Sequence, residues 1–208
     1  LRSDSIRIAL SKISNQYEFL ITHDTSISCL EDNFYYLPPS GYWVENPECY
    51  LKTRICSMIT SDKNFCTGHS FRLESANKLK DKLDLFGRGI RTFEKKEDAL
   101  ADYMFSVTME NASYEGYWSE KILDCLLLKT IPLYWGCSNI GDYFDIDGII
   151  TFDNVDDLIY KTNQLNESYY ENRKEIIEKN WKLALEYVDY EQNVVNTITN
   201  IFKHNKLI

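Results

Sequence analysis

The sequence predicts an α/β fold, a parallel sheet with helices on both faces. Two observations carry that reading. From residue 54 onward, apolar runs of strand length alternate with helical patterns, and such alternation closes as a parallel sheet with crossover helices. Polar, aromatic and charged residues also crowd the points where a strand feeds a helix, and α/β sheets bind ligands at those points. The richest such stretch is 103–136, whose loop carries Glu110, Asn111, Tyr114, Glu115, Tyr117 and Trp118.

Composition narrows the function classes. Of 208 residues, 44% are hydrophobic, which supplies a core and excludes a disordered chain. Apolar runs such as Ile131–Trp135 are strand-sized, far below the roughly 20 residues of a membrane span. The net charge of -9 argues against a nucleic-acid-binding surface but leaves room for a local phosphate pocket. The cysteines Cys29, Cys49, Cys56, Cys66, Cys125 and Cys137 form no CxxC pair, and the three histidines complete no zinc pattern. Cys56 and Cys125 lie in apolar runs and read as buried thiols, and the set reads as free thiols rather than a disulfide framework. Glycosylation sequons occur at Asn111 and Asn166, the first a poor acceptor if its loop lines a pocket. The acidic composition, the free thiols and the lack of a membrane segment lead us to expect a cytoplasmic location.

Taken in order, residues 1–22 read as a short helix and the strand Glu18–Thr22. Residues 23–54, broken by Pro38, Pro39, Gly41 and Pro47, read as irregular. Residues 1–54 are therefore expected to be the remnant of one domain plus a linker, and 55–208 a second domain. Arg54–Thr60 is a strand followed by a polar turn, Ser61 to Asn64. A helix starting near Ser70 places Phe71, Ala76, Leu79 and Leu83 on one side. Leu83–Phe86 is a short strand, residues 95–101 a short helix, and Met104–Met109 a strand. Ser119 is a good N-cap for a helix running to about Leu128. Ile131–Trp135 and Gly148–Phe152 are strands, and 154–165, 167–187 and 190–204 are closing helices.

The helix opened by Ser119 directs its N-terminus at the polar loop, and a helix N-terminus favours anions. Lys121 in the first turn opposes the usual preference for acidic residues there, which makes sense if an anion sits at the helix end. Glu120 suits a vicinal diol, because one carboxylate accepts from two hydroxyls. Together they read as a nucleotide site, with a solvated surface pair as the alternative. Lys63, His69 and Arg72 form a second cationic cluster at the junction after the strand 54–60. Arg72 could fork onto a pyrophosphate or make a surface salt bridge, and His69 reads as a loop hydrogen-bonder. Both junctions should face one crevice. No GxGxxG, P-loop or metal motif is present, and Gly87-Arg88-Gly89 is too short for a phosphate loop.

The run FSVTMENASYEGYWSEKILDCLLLKTIPLYWGCSNIGDYF resembles the signature of the α-1,3/1,4-fucosyltransferases, glycosyltransferase family ten. Glu110-Asn111, Tyr117, Ser119-Glu120-Lys121, Asp124 and Pro132-Leu133-Tyr134-Trp135-Gly136 match in register. The resemblance extends more weakly from Asn64 to Phe152. It implies a Rossmann-like sheet forming the C-terminal half of a GT-B glycosyltransferase. It also implies GDP-L-fucose as donor and inverting transfer to a hydroxyl of an acceptor glycan. Because cationic side chains would stabilise the leaving GDP, no essential metal or other cofactor is expected. Arg72 and Lys121 would hold the diphosphate and Glu120 the sugar hydroxyls. Asn111 and Tyr117 would line the pocket, with Lys63 nearby among the substrate-binding residues. The general base belongs to the family's N-terminal domain, so the chain is expected to be a fragment and its catalytic base is unknown. Asp24, Glu31 and Asp32 are available carboxylates outside any family motif. A Golgi location would fit if a membrane anchor had been removed. Two rival readings remain, a non-catalytic nucleotide-sugar-binding module and a transferase using another GDP-sugar.

Overall fold

The computed structural model describes residues 4–28, 32–47 and 50–204. Helix α1 (Asp4–Ile13) and a 3-10 turn (Ser14–Gln16) lead into strand β1 (Leu20–Thr22). Helix α2 (Thr25–Ser28) precedes β2 (Phe34–Tyr36), which pairs with β1 in parallel, Leu20 opposite Phe34. Residues 23–54 are thus not wholly irregular. Strands of three residues are too short to show an alternating pattern, so the sequence conceals them.

The main sheet begins with β3 (Arg54–Ile59), followed by α3 (Thr67–Leu79), β4 (Asp84–Phe86), α4 (Glu97–Leu100) and β5 (Tyr103–Met109). Next come α5 (Glu120–Leu127), β6 (Ile131–Trp135) and β7 (Ile150–Thr151). Helices α6 (Val155–Thr162), α7 (Glu167–Glu171), α8 (Lys174–Leu185) and α9 (Tyr190–His204) complete the chain. The five strands run in the order β4-β3-β5-β6-β7, with every neighbouring pair parallel. The chain moves outward from β3 to β4 and then returns past β3 to β5. The crevice between the carboxyl ends of β3 and β5 is therefore the topological switch point of the sheet.

Two apolar layers cover the sheet. Ala76 and Leu79 of α3 pack with Phe105, Val107, Met109, Leu158 and Ile177. Ile122, Leu123, Leu126 and Leu127 of α5 pack with Leu100, Tyr134, Phe144 and Ala184. β5 is buried along its whole length, and its alternation assigns the two faces. Phe105, Val107 and Met109 join the α3 layer. Ser106 and Thr108 face the other way, Ser106 accepting from the Ser57 hydroxyl at 3.1 Å and Thr108 Oγ1 lying 3.2 Å from Cys125 Sγ. These small polar side chains fill less of the α5 face and leave space there. Cys56 and Cys125 are buried free thiols, Cys66 and Cys137 are also free, and Cys29 and Cys49 lie outside the described residues.

Three expected boundaries shift. α3 starts at Thr67 rather than Ser70, because its first turn finds a tertiary partner, with Gly68 N–H donating to Asn111 O at 3.1 Å. Its end at Leu79 leaves Leu83 in the following turn. The helix expected over 167–187 breaks into α7 and α8 at Asn172 and Arg173. The break seats Tyr170 edge-on against Phe105, with its hydroxyl donating to Lys129 O at 2.7 Å. The strand expected over Gly148–Phe152 shrinks to Ile150–Thr151, because Ile146–Gly148 forms a 3-10 turn held by buried Asn180. Among the described residues, no helix is long and apolar enough to cross a membrane.

Candidate functional site

A cavity of about 150 Å³ lies at the switch point. Its floor is Ile59, Thr60 and Ser61 at the end of β3 together with Ser106–Met109 of β5. Arg72 comes from α3, Lys96 from the residue before α4, and Glu120, Lys121 and Cys125 from α5. The hydroxyl of Thr60 is buried and has no hydrogen-bond partner among the described residues. Three cationic side chains and one carboxylate thus converge on a single crevice. Both strand-to-helix junctions singled out in the sequence open into it.

Glu110, the first residue after β5, organises the rim. Its carboxylate is fully buried and accepts from Ser119 N–H at 3.0 Å, from the Ser119 hydroxyl at 2.7 and 2.9 Å and from Lys121 Nζ at 3.1 Å. Ser119 is the N-cap of α5, as expected, and accepts from Lys121 N–H at 3.4 Å. The anion predicted at this helix end is therefore the protein's own Glu110. Gly136 makes room for it, since a Cβ there would stand 2.5 Å from Glu110 Cγ. Gly68 does the same for the loop backbone, since its Cβ would stand 2.1 Å from Glu110 O.

Arg72 is buried and donates through Nη2 to Met109 O at 2.7 Å, to Asn111 Oδ1 at 3.3 Å and to Glu110 O at 3.4 Å. It is not a surface salt bridge, because it fastens the loop to α3 while lining the cavity. Burial pulls its pKa down, and Glu110 offsets part of that. Burial also pushes Glu110 upward, against Lys121 and Ser119. These donors, aimed at the carboxyl group, oppose that upward push. For Lys121, burial acts downward, but Glu110 and Glu120 outweigh it and the net shift is upward. For Glu120, burial acts upward, but Lys121 and Lys96 outweigh it and hold the carboxyl below its ordinary range. Glu120 and Lys121 also contact each other, Nζ to Oε1 at 3.3 Å. They are half-buried, so the solvated surface pair is excluded.

Comparison with known proteins places the chain. A model described as glycosyltransferase family 10 (fucosyltransferase), C-terminal part, matches residues 51–197. The chain belongs to this family. An alpha-(1,3)-fucosyltransferase FucT of Helicobacter pylori is 33% identical over 69 residues, which make up 32% of this chain and 14% of that protein. A crystal structure of an α1,3-fucosyltransferase with GDP superposes with a TM-score of 0.58 at 17% identity, over 80% of this chain and 62% of that one. A crystal structure of a GtfA/B complex superposes with a TM-score of 0.60 at 13% identity, over 97% of this chain and 48% of that one. The family 10 chain thus spans less than two thirds of the length of each. The fold is the expected one, the Rossmann-like C-terminal half of a GT-B glycosyltransferase.

In this family 10 domain, Arg72, Glu120 and Lys121 line the cavity, whereas Lys63, Asn111 and Tyr117 lie outside its lining. Lys63 is exposed. Asn111 accepts from Arg72 through Oδ1 and from Gly68 N–H through its backbone carbonyl. Tyr117 stacks on Tyr114 with ring centroids 4.6 Å apart. Burial, with Glu110 and Glu120 beside it, pushes the Tyr117 phenol up to about 12, so it remains a hydrogen-bond donor. His69 is a loop hydrogen-bonder, its Nδ1 accepting from Phe65 N–H at 3.5 Å. Asp24 caps its own turn through Ser26, Asp32 is exposed, and Glu31 lies outside the described residues. Asn166 uses its side chain to cap α7. Sequence reasoning missed Lys96 and the roles of Glu110 and Asp124. Glu110 and Asp124 stood in the matched motif, but nothing local marked them as buried acceptors.

Proposed function

We propose that the chain forms the donor half of an inverting glycosyltransferase that moves L-fucose from GDP-fucose to a hydroxyl of an acceptor glycan. The observation that carries this reading is the switch-point cavity, where Arg72 and Lys121 flank Glu120. The diphosphate docks between Arg72 and Lys121. Lys121 exchanges its longest carboxylate contact, Glu120 at 3.3 Å, for a phosphate oxygen and keeps Glu110. Glu120, released, accepts from sugar hydroxyls. As the bond from the fucose carbon to the diphosphate breaks, the two cations stabilise the leaving GDP, the role a divalent metal can otherwise fill. The base that deprotonates the acceptor hydroxyl comes from the acceptor half.

Calorimetry with GDP tests the docking, and nucleotide release from a panel of GDP-sugars by the protein carrying both halves tests the donor. We expect Lys121→Ala to raise the donor KM or abolish turnover. Wild-type donor kinetics in that variant would refute the phosphate site, and activity with GDP-mannose but not GDP-fucose would refute the sugar assignment.

A further inference from the structure

We propose that Lys96 is a further cation for the nucleoside diphosphate, positioned over the switch-point cavity by the buried carboxylate of Asp124. The proposal rests on the donor reading above. Lys96 directly precedes α4 and lines the same cavity as Arg72 and Lys121, approaching from a different element. Its Nζ lies 3.1 Å from Asp124 Oδ2, with 22% of the lysine side chain exposed and none of the aspartate. Asp124 is anchored on its other side, its Oδ1 accepting from Trp43 N–H at 2.7 Å. The carboxylate therefore has one fixed position from which to hold the ammonium.

Among the described residues Lys96 Nζ contacts one carboxylate oxygen, Asp124 Oδ2. An ammonium carries three N–H donors, so two remain for a diphosphate oxygen. The other two cations are more heavily engaged. Lys121 contacts two carboxylates, and Arg72 spends Nη2 on three oxygens of the loop. Charge bookkeeping points the same way. Arg72, Lys96 and Lys121 each face one or more of the carboxyl groups Glu110, Glu120 and Asp124, so an entering diphosphate needs donors that are not already bonded.

The alternative is that Lys96 only neutralises Asp124. Calorimetry with GDP and with guanosine on the whole chain separates the two. Lys96→Gln should weaken GDP binding by about tenfold or more, the loss expected for a hydrogen bond to a charged group, and leave guanosine binding unchanged. Lys96→Arg should retain most of the GDP affinity. The double variant Lys96→Gln/Asp124→Asn removes the buried charge along with its partner. Its melting temperature should recover toward wild type while GDP binding stays weak. GDP affinity that survives Lys96→Gln or recovers in the double variant would overturn the assignment, as would an equal loss of guanosine binding. Failure of the wild-type chain to bind GDP would sink the donor reading and the Lys96 assignment with it.

Discussion

The two buried carboxyl groups beside the cavity, Glu110 and Asp124, each face a lysine. Glu110 takes two donors from Ser119 and one from Lys121, and Asp124 takes the Trp43 N–H and the charge of Lys96. His69, 6% exposed, is stabilised in its neutral form. Burial first, then Arg72, Lys63 and Lys121, pull its pKa below the ordinary value. The sign follows by linkage. With the folded pKa depressed, the unfolded state binds more protons, so stability is intact above about pH 6.5 and declines as pH falls toward the folded value. His69→Asn keeps an acceptor near the Nδ1 position and cannot titrate. Thermal melts across pH 7 to about 5 should therefore fall less steeply for the variant than for wild type, and parallel curves would contradict this. The sequence offered the types of these residues but not their pairing. Glu110, nine residues before Ser119, reads locally as an ordinary loop acid, and Lys96 reads as one charge in the polar run Glu94 to Asp98.

At the scale of the element, α3 and the loop after β5 act as one unit. Gly68 N–H bonds Asn111 O, and Arg72 one turn later bonds the carbonyls of Met109 and Glu110. Gly68→Ala would force a Cβ to within 2.1 Å of Glu110 O, a backbone atom that cannot swing aside. The helix must then separate from the loop. We expect a loss of about 1–3 kcal/mol in denaturant unfolding, together with weaker GDP binding as Arg72 shifts; unchanged stability would show that the loop moves freely. Elements with strong periodicity or clear caps were legible in the sequence, as β6 and the N-cap of α5 show. The break between α7 and α8 was not, because residues 167–187 keep a helical pattern through Asn172 and Arg173. There the tertiary seat of Tyr170 against Phe105 overrides it.

At the scale of the molecule, residues 43–47 and 50–52 are fastened to the main sheet. Val44, 1% exposed, lies in the α5 core layer beside Trp118 and Leu126. Glu97 accepts from the N–H groups of Glu45 and Asn46 at 2.5 and 2.9 Å, and Lys52 Nζ donates to Ala101 O at 2.7 Å. Val44→Ala should cost about 2 kcal/mol of unfolding free energy, whereas a segment serving only as a linker would leave the denaturation midpoint unchanged. By itself the sequence determined the alternation of strands and helices, the two polar junctions and the resemblance of 105–144 to the family signature, since all of these follow from residue type at short spacing. Only the tertiary structure decided that β3 and β5 are neighbours, that Glu110 occupies the helix end expected for an external anion, and that Lys96 joins Arg72 and Lys121 at one cavity. Those outcomes depend on strand order and on which charges are buried together, and neither is encoded in any local period.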